Sequence, residues 1–387
     1  MNKNIYFDNA ATTFLDDAVY EAMKPYFEGH FGNPSSIYQY CQTAKQGITE
    51  AREQVAAGIN ASAGEIYFTS GGSESDNWAI IGTAFAKRSK GNHLITTKIE
   101  HHAVLHTIEY LEKKHGFTAT YLDVDQEGLV NPEDLKKALT PETILVSVML
   151  ANNEIGTIQP VADLVQITKE YDPKIYFHTD AVQALGTIPL DVQALGVDLL
   201  TITAHKAYGP KGVGALYIKK GVVIDNLIHG GGQEKGKRAG TENVAGIVGF
   251  GKAAELFTAD VVERNLKIKE LRDHLINRAT AEIEGIVVNG SLEHRLPGNS
   301  NFSVKRIEGE ALILSLDHYG IAASSGSACT SGSLDPSHVL LAIGLDHGTA
   351  HGSLRVSLGK DNTKEEIDFF IDKLILIAQK LRAISPL

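Results

Sequence analysis

Short apolar runs alternate with longer amphipathic segments between roughly residues 15 and 258. The short runs read as strands and lie at residues 65–70, 93–97, 117–122, 143–150, 175–179 and 198–203. The amphipathic segments read as helices and lie from about Glu74 to Lys87, from about His102 to His115, and near 131–139 and 160–171. Strands separated by helices of this length predict a mainly parallel sheet that helices cover on both faces.

From about residue 260 the pattern changes to a long charged helix followed by short strands. The helix covers about 261–279, the strands 286–288, 300–305 and 353–358, and a terminal helix lies near 363–383. A chain of 387 residues is also long for a single core. We therefore expect an α/β protein with a large domain at residues 14–258 and a smaller α+β domain formed by residues 1–13 and 259–387.

Composition and charge narrow the class of protein. The hydrophobic content of 43% and charged content of 21% are those of an ordinary globular protein. The net charge of −11 argues against nucleic acid as a partner. The longest apolar run, near 144–151, is too short to cross a bilayer, and the first residues lack the apolar region of a secretion signal. Two cysteines cannot form a disulfide framework, so we expect a cytoplasmic protein without membrane contact.

Candidate chemistry follows two of the strand-like runs. The run at 175–179 ends in Asp180, and the run at 198–203 leads into A-H-K-A-Y-G-P-K-G, which contains Lys206. Ligands of parallel sheets bind at this end of the strands. A lysine that bonds to an aldehyde and a carboxylate that keeps a pyridine nitrogen protonated are what pyridoxal phosphate (PLP) chemistry requires. A surface lysine is the ordinary alternative, but the pair, with Gln183 close behind, favours a PLP enzyme.

Three further segments have both a functional and an ordinary interpretation. Gly72 and Ser73 lie between a strand and a helix, where backbone N–H groups can bind a phosphate or can simply be capped. His101 can lie on the face of a cofactor ring, or it can cap a helix. Asn153 follows the strongest buried strand and can reach the phenolic oxygen of the cofactor, although Asn also favours ordinary turns.

The second half contains a candidate nucleophile. Cys329 lies within S-S-G-S-A-C-T-S-G, whose small residues predict an exposed loop with a reactive thiol. Cys41 lies in a predicted helix after Pro34 and reads as a packing residue. Arg355, in S-L-R-V-S-L-G, can hold a substrate carboxylate or can be an ordinary charge on a strand.

Taken together, these motifs resemble the cysteine desulfurases of the NifS/IscS type, which are class-V aminotransferase-like enzymes of fold type I. The resemblance runs through nearly the whole chain and includes Y-F-D-N-A-A-T-T, S-G-G-S-E-S-D-N, A-N-N-E-I-G-T-I-Q-P, H-T-D-A-V-Q, A-H-K-A-Y-G-P-K-G and H-G-G-G-Q-E. It implies a seven-stranded, mainly parallel sheet between helices, a smaller α+β domain that carries the cysteine loop, and PLP as the cofactor. It implies no metal site.

The resemblance also implies a role for each matching residue. Lys206 is expected to bond to PLP, Asp180 to pair with the pyridine nitrogen, and Gln183 and Asn153 to address the phenolic oxygen. His101 is expected to stack on the ring and to move protons. The expected phosphate ligands are Gly72, Ser73, Thr203, His205 and, from the second subunit of a homodimer, Thr241. Arg355 and Asn33 are expected to hold the substrate carboxylate.

The implied reaction converts L-cysteine to L-alanine and leaves a persulfide on Cys329, which passes its sulfur to an iron–sulfur scaffold protein. Two related activities stay open, those of a selenocysteine lyase and a cysteine sulfinate desulfinase. Rivals from other classes are a sulfur carrier that merely retains the fold and a phosphate-binding protein without catalysis. The second of these leaves the pairing of Asp180 with Lys206 unexplained.

Overall fold

The computed structural model describes residues 4–325 and 336–384 and contains a seven-stranded sheet. In chain order its strands are β2 (Ile66–Thr69), β3 (His93–Thr97), β4 (Thr118–Leu122), β5 (Thr143–Ser147), β6 (Tyr176–Asp180), β7 (Leu199–Thr203) and β8 (Gly214–Ile218). Their order across the sheet is β2-β8-β7-β6-β5-β3-β4. Only the two pairs that involve β8 are antiparallel. The predicted α/β class with a mainly parallel sheet is therefore confirmed.

Helices cover this sheet and its flanks. They are α1 (Asp17–Met23), α2 (Pro25–Glu28), α3 (Gln42–Gly58), α4 (Gly72–Lys87), α5 (His102–His115), α6 (Pro132–Ala138), α7 (Val161–Tyr171), α8 (Val192–Leu195), α9 (Gln233–Gly236) and α10 (Val244–Ala259). Every residue of β3, β5, β7 and β8 is buried, as expected for strands with helices on both faces. The helix α4 packs across β5 to β8 and so begins at the carboxyl ends of β6 and β7.

A second group of elements has its own core. It contains β1 (Ile5–Tyr6), β9 (Ile286–Val288), β10 (Asn299–Val304), β11 (Ile321–Ala322), β12 (Ser353–Ser357), α11 (Val261–Glu282), α12 (Gly309–Asp317), α13 (His338–Ala342), α14 (His347–His351) and α15 (Lys364–Ile384). One apolar cluster joins Ile5 and Phe7 to residues between 268 and 378. The division into residues 14–258 and residues 1–13 with 259–387 stays a prediction.

Two elements differ from the sequence expectation. The strand β5 ends at Ser147 rather than residue 150, although the backbone N–H groups of Val148 and Leu150 still donate to β6 at 3.1 and 2.8 Å. Cys41 lies in a 3-10 turn just before α3, whereas the sequence placed it inside a helix. Its side chain is fully buried, as expected for a packing residue. None of the helices within residues 4–325 and 336–384 is long and apolar enough to span a membrane.

Candidate active site

A cavity of about 340 Å³ lies at the carboxyl ends of β6 and β7. Its lining combines the N-terminal segment, the start of α4, the turn after β7 and β12: Ala10, Ala11, Gly72, Ser73, Asp76, His101, Met149, Asn153, Asp180, Val182, Gln183, Thr203, His205, Lys206 and Arg355. Most of the side chains singled out from the sequence therefore meet in one place. This is the end of a parallel sheet at which ligands are expected.

Lys206 closes the cavity on the side of the N-terminal segment. It ends the 3-10 turn Ala204–Lys206, and its ammonium donates hydrogen bonds to the carbonyl oxygens of Ala10 and, at 2.6 Å, Ala11. The same segment is held to the turn by Thr13, whose N–H and hydroxyl both donate to the His205 carbonyl oxygen at 2.9 Å. The lysine is only half-buried, so its amine has access to a ligand in the cavity.

Asp180 supplies a carboxylate at the end of β6. It is buried, and its Oδ1 accepts a hydrogen bond from the Val182 N–H at 2.9 Å. Burial raises the pKa of Asp180, while the Val182 N–H and the Lys206 charge lower it in part. A cationic partner in the cavity would favour the ionised form further, which suits a protonated ring nitrogen.

The structure places His101 both at the start of a helix and in the lining of the cavity. It is the N-cap residue of α5, where its Nδ1 accepts a hydrogen bond from the Ala103 N–H at 3.1 Å, and its ring also lines the cavity. Burial lowers the pKa of His101 to about 4, with further contributions from Lys206, His338 and His106. The imidazole is therefore neutral at physiological pH.

A second cavity of about 340 Å³ adjoins the first at the start of α4. Ser73, Thr203 and His205 line both cavities, and Lys211 lines the second. The donors here suit a phosphate, because the first N–H groups of a helix lack partners within the helix and attract an anion. Gly72 is required by space, since a Cβ atom at this position would approach Val182 Cγ2 to 2.7 Å.

Arg355 presents a guanidinium to the cavity from β12. It is 2% exposed, donates to the Asn153 carbonyl oxygen at 3.1 Å, and forms an ion pair with Asp8 at 2.8 Å. Its Nε atom is buried without a hydrogen-bond partner. An unsatisfied buried donor beside a cavity suits a carboxylate ligand.

The residues that line the two cavities fit PLP. They place an amine and a buried carboxyl group in one cavity and an anion-binding helix terminus in the other. Gln183, whose side-chain amide donates to the Ala10 carbonyl oxygen at 3.0 Å, and Asn153 add polar groups at the rim. Among the described residues, no group of three or more His, Cys, Asp and Glu side chains is arranged to hold a metal ion.

Two predicted site residues lie outside the cavity lining. Asn33 is exposed, and its Oδ1 accepts a hydrogen bond from the Ser35 N–H at 2.9 Å within a turn. Thr241 is exposed in the segment before α10, outside the cavity lining. Cys329 lies outside the described residues. The roles expected of these three residues stay predictions.

Two acidic residues of the site escaped the sequence interpretation. Asp8 pairs with Arg355, and Asp76 lines the cavity from the second turn of α4. Both stand inside quoted motifs, Y-F-D-N-A-A-T-T and S-G-G-S-E-S-D-N. The sequence did contain a signal for Asp76, which is an acidic residue on an otherwise apolar face of a helix. An acidic residue in such a position is rarely buried without a partner.

Comparison with known proteins places the chain in a family. Residues 5–370 match the aminotransferase class-V family. The chain is 58% identical over 389 residues to a cysteine desulfurase IscS of Clostridium botulinum, an alignment that covers 100% of this chain and 97% of the relative. It is 55% identical over 386 residues to a cysteine desulfurase IscS of Methanosarcina thermophila, with 100% of this chain and 95% of the relative covered.

A solved structure described as a NifS-like protein has the same fold. Its TM-score is 0.93 at 42% identity, and the match covers 98% of this chain and 100% of that chain. The predicted fold type I is thereby confirmed. The chain belongs to the class-V aminotransferase family and, within it, to the cysteine desulfurases of the NifS/IscS type.

Proposed function

We propose that this cysteine desulfurase binds PLP in the two adjoining cavities and releases the sulfur of L-cysteine for iron–sulfur cluster assembly. The observation that carries the proposal is the meeting of Lys206, Asp180 and Arg355 in one cavity beside the start of α4. When bound, PLP supplies an electron sink for the charge that develops on the substrate. The family relationship and the donor set of the cavities both support this cofactor.

Each of the other functional side chains has its own role in the reaction. The Lys206 amine would hold the cofactor through its aldehyde and, when free, would accept the α-proton of L-cysteine. The Asp180 carboxylate would keep a proton on the pyridine nitrogen. Arg355 orients the substrate through its carboxylate, with Asn33 as a second contact. His101, which lines the cavity, is the residue that we assign to proton transfer near the substrate thiol.

Sulfur transfer is assigned to Cys329. Its thiolate forms an S–S bond with the substrate sulfur while the C–S bond of the substrate breaks and its electron pair stays on the substrate carbon, which is then protonated to give L-alanine. The resulting persulfide is passed to an iron–sulfur scaffold protein in the cytoplasm. A homodimer supplies Thr241 of each subunit to the phosphate site of the other, in keeping with the exposure of this residue.

The test compares the two cysteines of the chain. Cys329→Ser is expected to abolish alanine production from L-cysteine, and the matched control Cys41→Ala to retain it, because Cys41 is fully buried in a packing position. Lys206→Ala is expected to lose the absorbance of the covalently bound cofactor. Normal alanine output from Cys329→Ser would contradict the assignment of the nucleophile. Retained absorbance in Lys206→Ala would contradict the assignment of the lysine.

The same variants separate the related activities. Selenocysteine and cysteine sulfinate carry leaving groups that depend less on a nucleophilic thiol than the sulfur of L-cysteine does. A cysteine desulfurase should therefore lose far more activity on L-cysteine than on the other two substrates when Cys329 becomes Ser. Equal losses on the three substrates, or a wild-type rate on L-cysteine well below the other two rates, would favour one of the related activities.

A further inference from the structure

A chain of buried polar side chains lies behind Asp180, between α4 and the sheet. Ser147 comes from β5, His178 from β6, Thr201 from β7 and Asp76 from α4, and none of them is more than 1% exposed. The His178 Nδ1 atom lies 2.8 Å from Ser147 Oγ, and the His178 Nε2 atom lies 3.1 Å from Thr201 Oγ1. The Thr201 hydroxyl in turn lies next to Asp76 and lowers the pKa of its carboxyl group in part.

This chain, here called the polar layer, leads to the cofactor cavity. His178 and Asp180 are two residues apart on β6, so their side chains share one face of the sheet. Thr201 is paired with Asp180 in the β6–β7 ladder, and Asp76 lines the cavity together with Asp180. The layer therefore connects α4 to three strands directly beneath the carboxylate expected to face the pyridine nitrogen.

The polar layer lies in an interface that is usually apolar. The interface between a helix and a parallel sheet is ordinarily apolar, and its neighbours here include the buried residues Ala79 and Leu199. Replacing both partners of a buried hydrogen bond by apolar groups of the same shape is often neutral for stability. Four such groups in a continuous row next to Asp180 point to a role in the site.

Two directions of hydrogen bonding satisfy the three contacts. In the first direction, protonated Asp76 donates to Thr201, Thr201 donates to His178 Nε2, and His178 Nδ1–H donates to Ser147. In the second direction every donor is reversed, and Asp76 accepts from Thr201. Only the first direction requires a proton on Asp76, because an anionic carboxylate cannot donate.

The surroundings of Asp76 favour the first direction. Its Oδ1 atom is buried without a hydrogen-bond partner, and His178 Nε2 is 3.6 Å away, too far for a hydrogen bond. Asp180, by contrast, has the Val182 N–H and the nearby Lys206 charge to stabilise an anion. Two carboxylates in one dry site cannot both ionise without a large cost.

The titration behaviour of the buried groups agrees with this geometry. Burial raises the pKa of Asp76, and the charge of Asp180 raises it further, while the contact with Thr201 lowers it in part. Burial alone lowers the pKa of His178 to about 3, so His178 is no source of positive charge for Asp76. The negative charge therefore rests on Asp180.

We propose that Asp76 is a positioning residue that keeps its proton at neutral pH, anchors α4 to the sheet through Thr201 and His178, and leaves Asp180 as the anion that would pair with the pyridine nitrogen. The inference rests on the proposed function, because the charge of Asp180 matters only under a pyridine nitrogen. An ionised Asp76 would place a second negative charge in the same site and would compete for the proton that Asp180 holds on the ring.

The protonation state can be measured without cofactor. The infrared difference spectrum between wild-type apoprotein and Asp76→Asn, recorded at neutral pH, is expected to show the carbonyl stretch of a protonated carboxylic acid, with a shift in D₂O. A carboxylate band in its place would overturn the proposal. This measurement is independent of the proposed function, because it needs neither PLP nor L-cysteine.

Variants then test the positioning role through PLP affinity and through the pH titration of the bound cofactor's absorbance. Asp76→Asn retains a neutral donor and is expected to keep the affinity within about threefold and the titration unchanged. Asp76→Leu and Thr201→Val break the layer and are expected to weaken PLP binding about tenfold or more. Asp180→Asn is the matched control and is expected to shift the absorbance titration strongly.

Each pattern of results has one interpretation. The proposal is supported if Asp76→Asn retains PLP affinity while Asp76→Leu loses it, and if the Thr201→Val variant is still folded. A titration shifted as much by Asp76→Asn as by Asp180→Asn would show that Asp76 is charged and would overturn it. Wild-type affinity in both Asp76→Leu and Thr201→Val would overturn the positioning role. If Asp180→Asn changed nothing, the cofactor assignment would fail while the infrared result stood.

Discussion

Arg355 shows how a single side chain is kept ready for a ligand. Its guanidinium is buried, yet one ion pair with Asp8 and one bond to the Asn153 carbonyl oxygen leave the Nε atom without a partner. A hydrogen bond between charged groups is stronger than one between neutral groups. A substrate carboxylate that accepts from this Nε atom would therefore bind more tightly. Lysine offers no planar fork and cannot reproduce it.

Arg355→Lys is therefore expected to raise the KM for L-cysteine by about 10- to 100-fold. Asp8→Asn keeps the arginine and only weakens its ion pair, so the increase should be smaller. Steady-state alanine production by the two variants provides the comparison. An effect of Asp8→Asn as large as that of Arg355→Lys would mean that Arg355 serves the structure rather than the substrate.

Most of the cavity residues were predictable one by one, but their partners were not. Asp180 and Lys206 each follow a recognisable strand, so sequence position alone placed them at one edge of the large sheet, whereas Arg355 lies in the three-stranded sheet. Asp8 and Asp76 act through contacts with residues 347 and 102 positions away, respectively Arg355 and His178, and no local pattern records such contacts.

The short helix α9 shows how a strained segment is held at the scale of an element. Glu234 and Lys235 have φ angles of 45° and 57°, a left-handed conformation that is unfavourable outside glycine. The Glu234 carboxylate accepts two hydrogen bonds from Arg52 of α3, both 2.7 Å long, and one from the Phe68 N–H of β2 at 2.9 Å. These contacts fix the segment that leads to Thr241.

Glu234→Gln is expected to lower the free energy of unfolding by about 3–5 kcal/mol, because it leaves the nearly buried Arg52 charge without its partner. The double variant Arg52→Met/Glu234→Gln should lose less than the sum of the two single losses. Denaturant unfolding at a fixed protein concentration measures all three values. Strict additivity would show that the two side chains do not depend on each other.

Elements with strong local signals were predicted closely. The strand β3 and the helix α5 begin and end where the sequence placed them, since a five-residue apolar strand and a histidine-capped amphipathic helix are clear patterns. The strand β8 lies in the glycine-rich run after Lys206 and was not recognised as a strand. Its pairing with β2 and β7 is a tertiary contact, which local composition does not reveal.

At the scale of the whole molecule, two sets of buried titratable groups make stability depend on pH in opposite directions. Burial lowers the pKa of His101, His102 and His205 to about 4. As the pH falls from about 6.5, the unfolded chain therefore binds more protons than the folded chain, and the folded state loses stability. Burial raises the pKa of Glu100 to about 8 and of Glu154 to about 7. Folded carboxyls then retain protons that the unfolded chain has released, and stability falls as the pH rises toward 8.

Glu100→Gln removes one of the groups that act at higher pH. Between pH 6 and pH 8 the variant is expected to lose about 1–2 kcal/mol less stability than the wild type. Melting temperatures at both pH values, at equal protein and PLP concentrations, test this difference. The exposed Glu263→Gln is the control and should follow the wild type; parallel curves for Glu100→Gln would show that Glu100 is already ionised in the folded protein.

The helix α4 has a consequence for which vitamers the protein can use. Its first turn borders the second cavity, and its second turn supplies Asp76 to the lining of the first. In the proposed binding mode, this one helix would contact the cofactor at both its phosphate and its ring. Pyridoxal without its phosphate should therefore bind more weakly than the loss of the phosphate contacts alone predicts, because its ring would be displaced relative to Asp76.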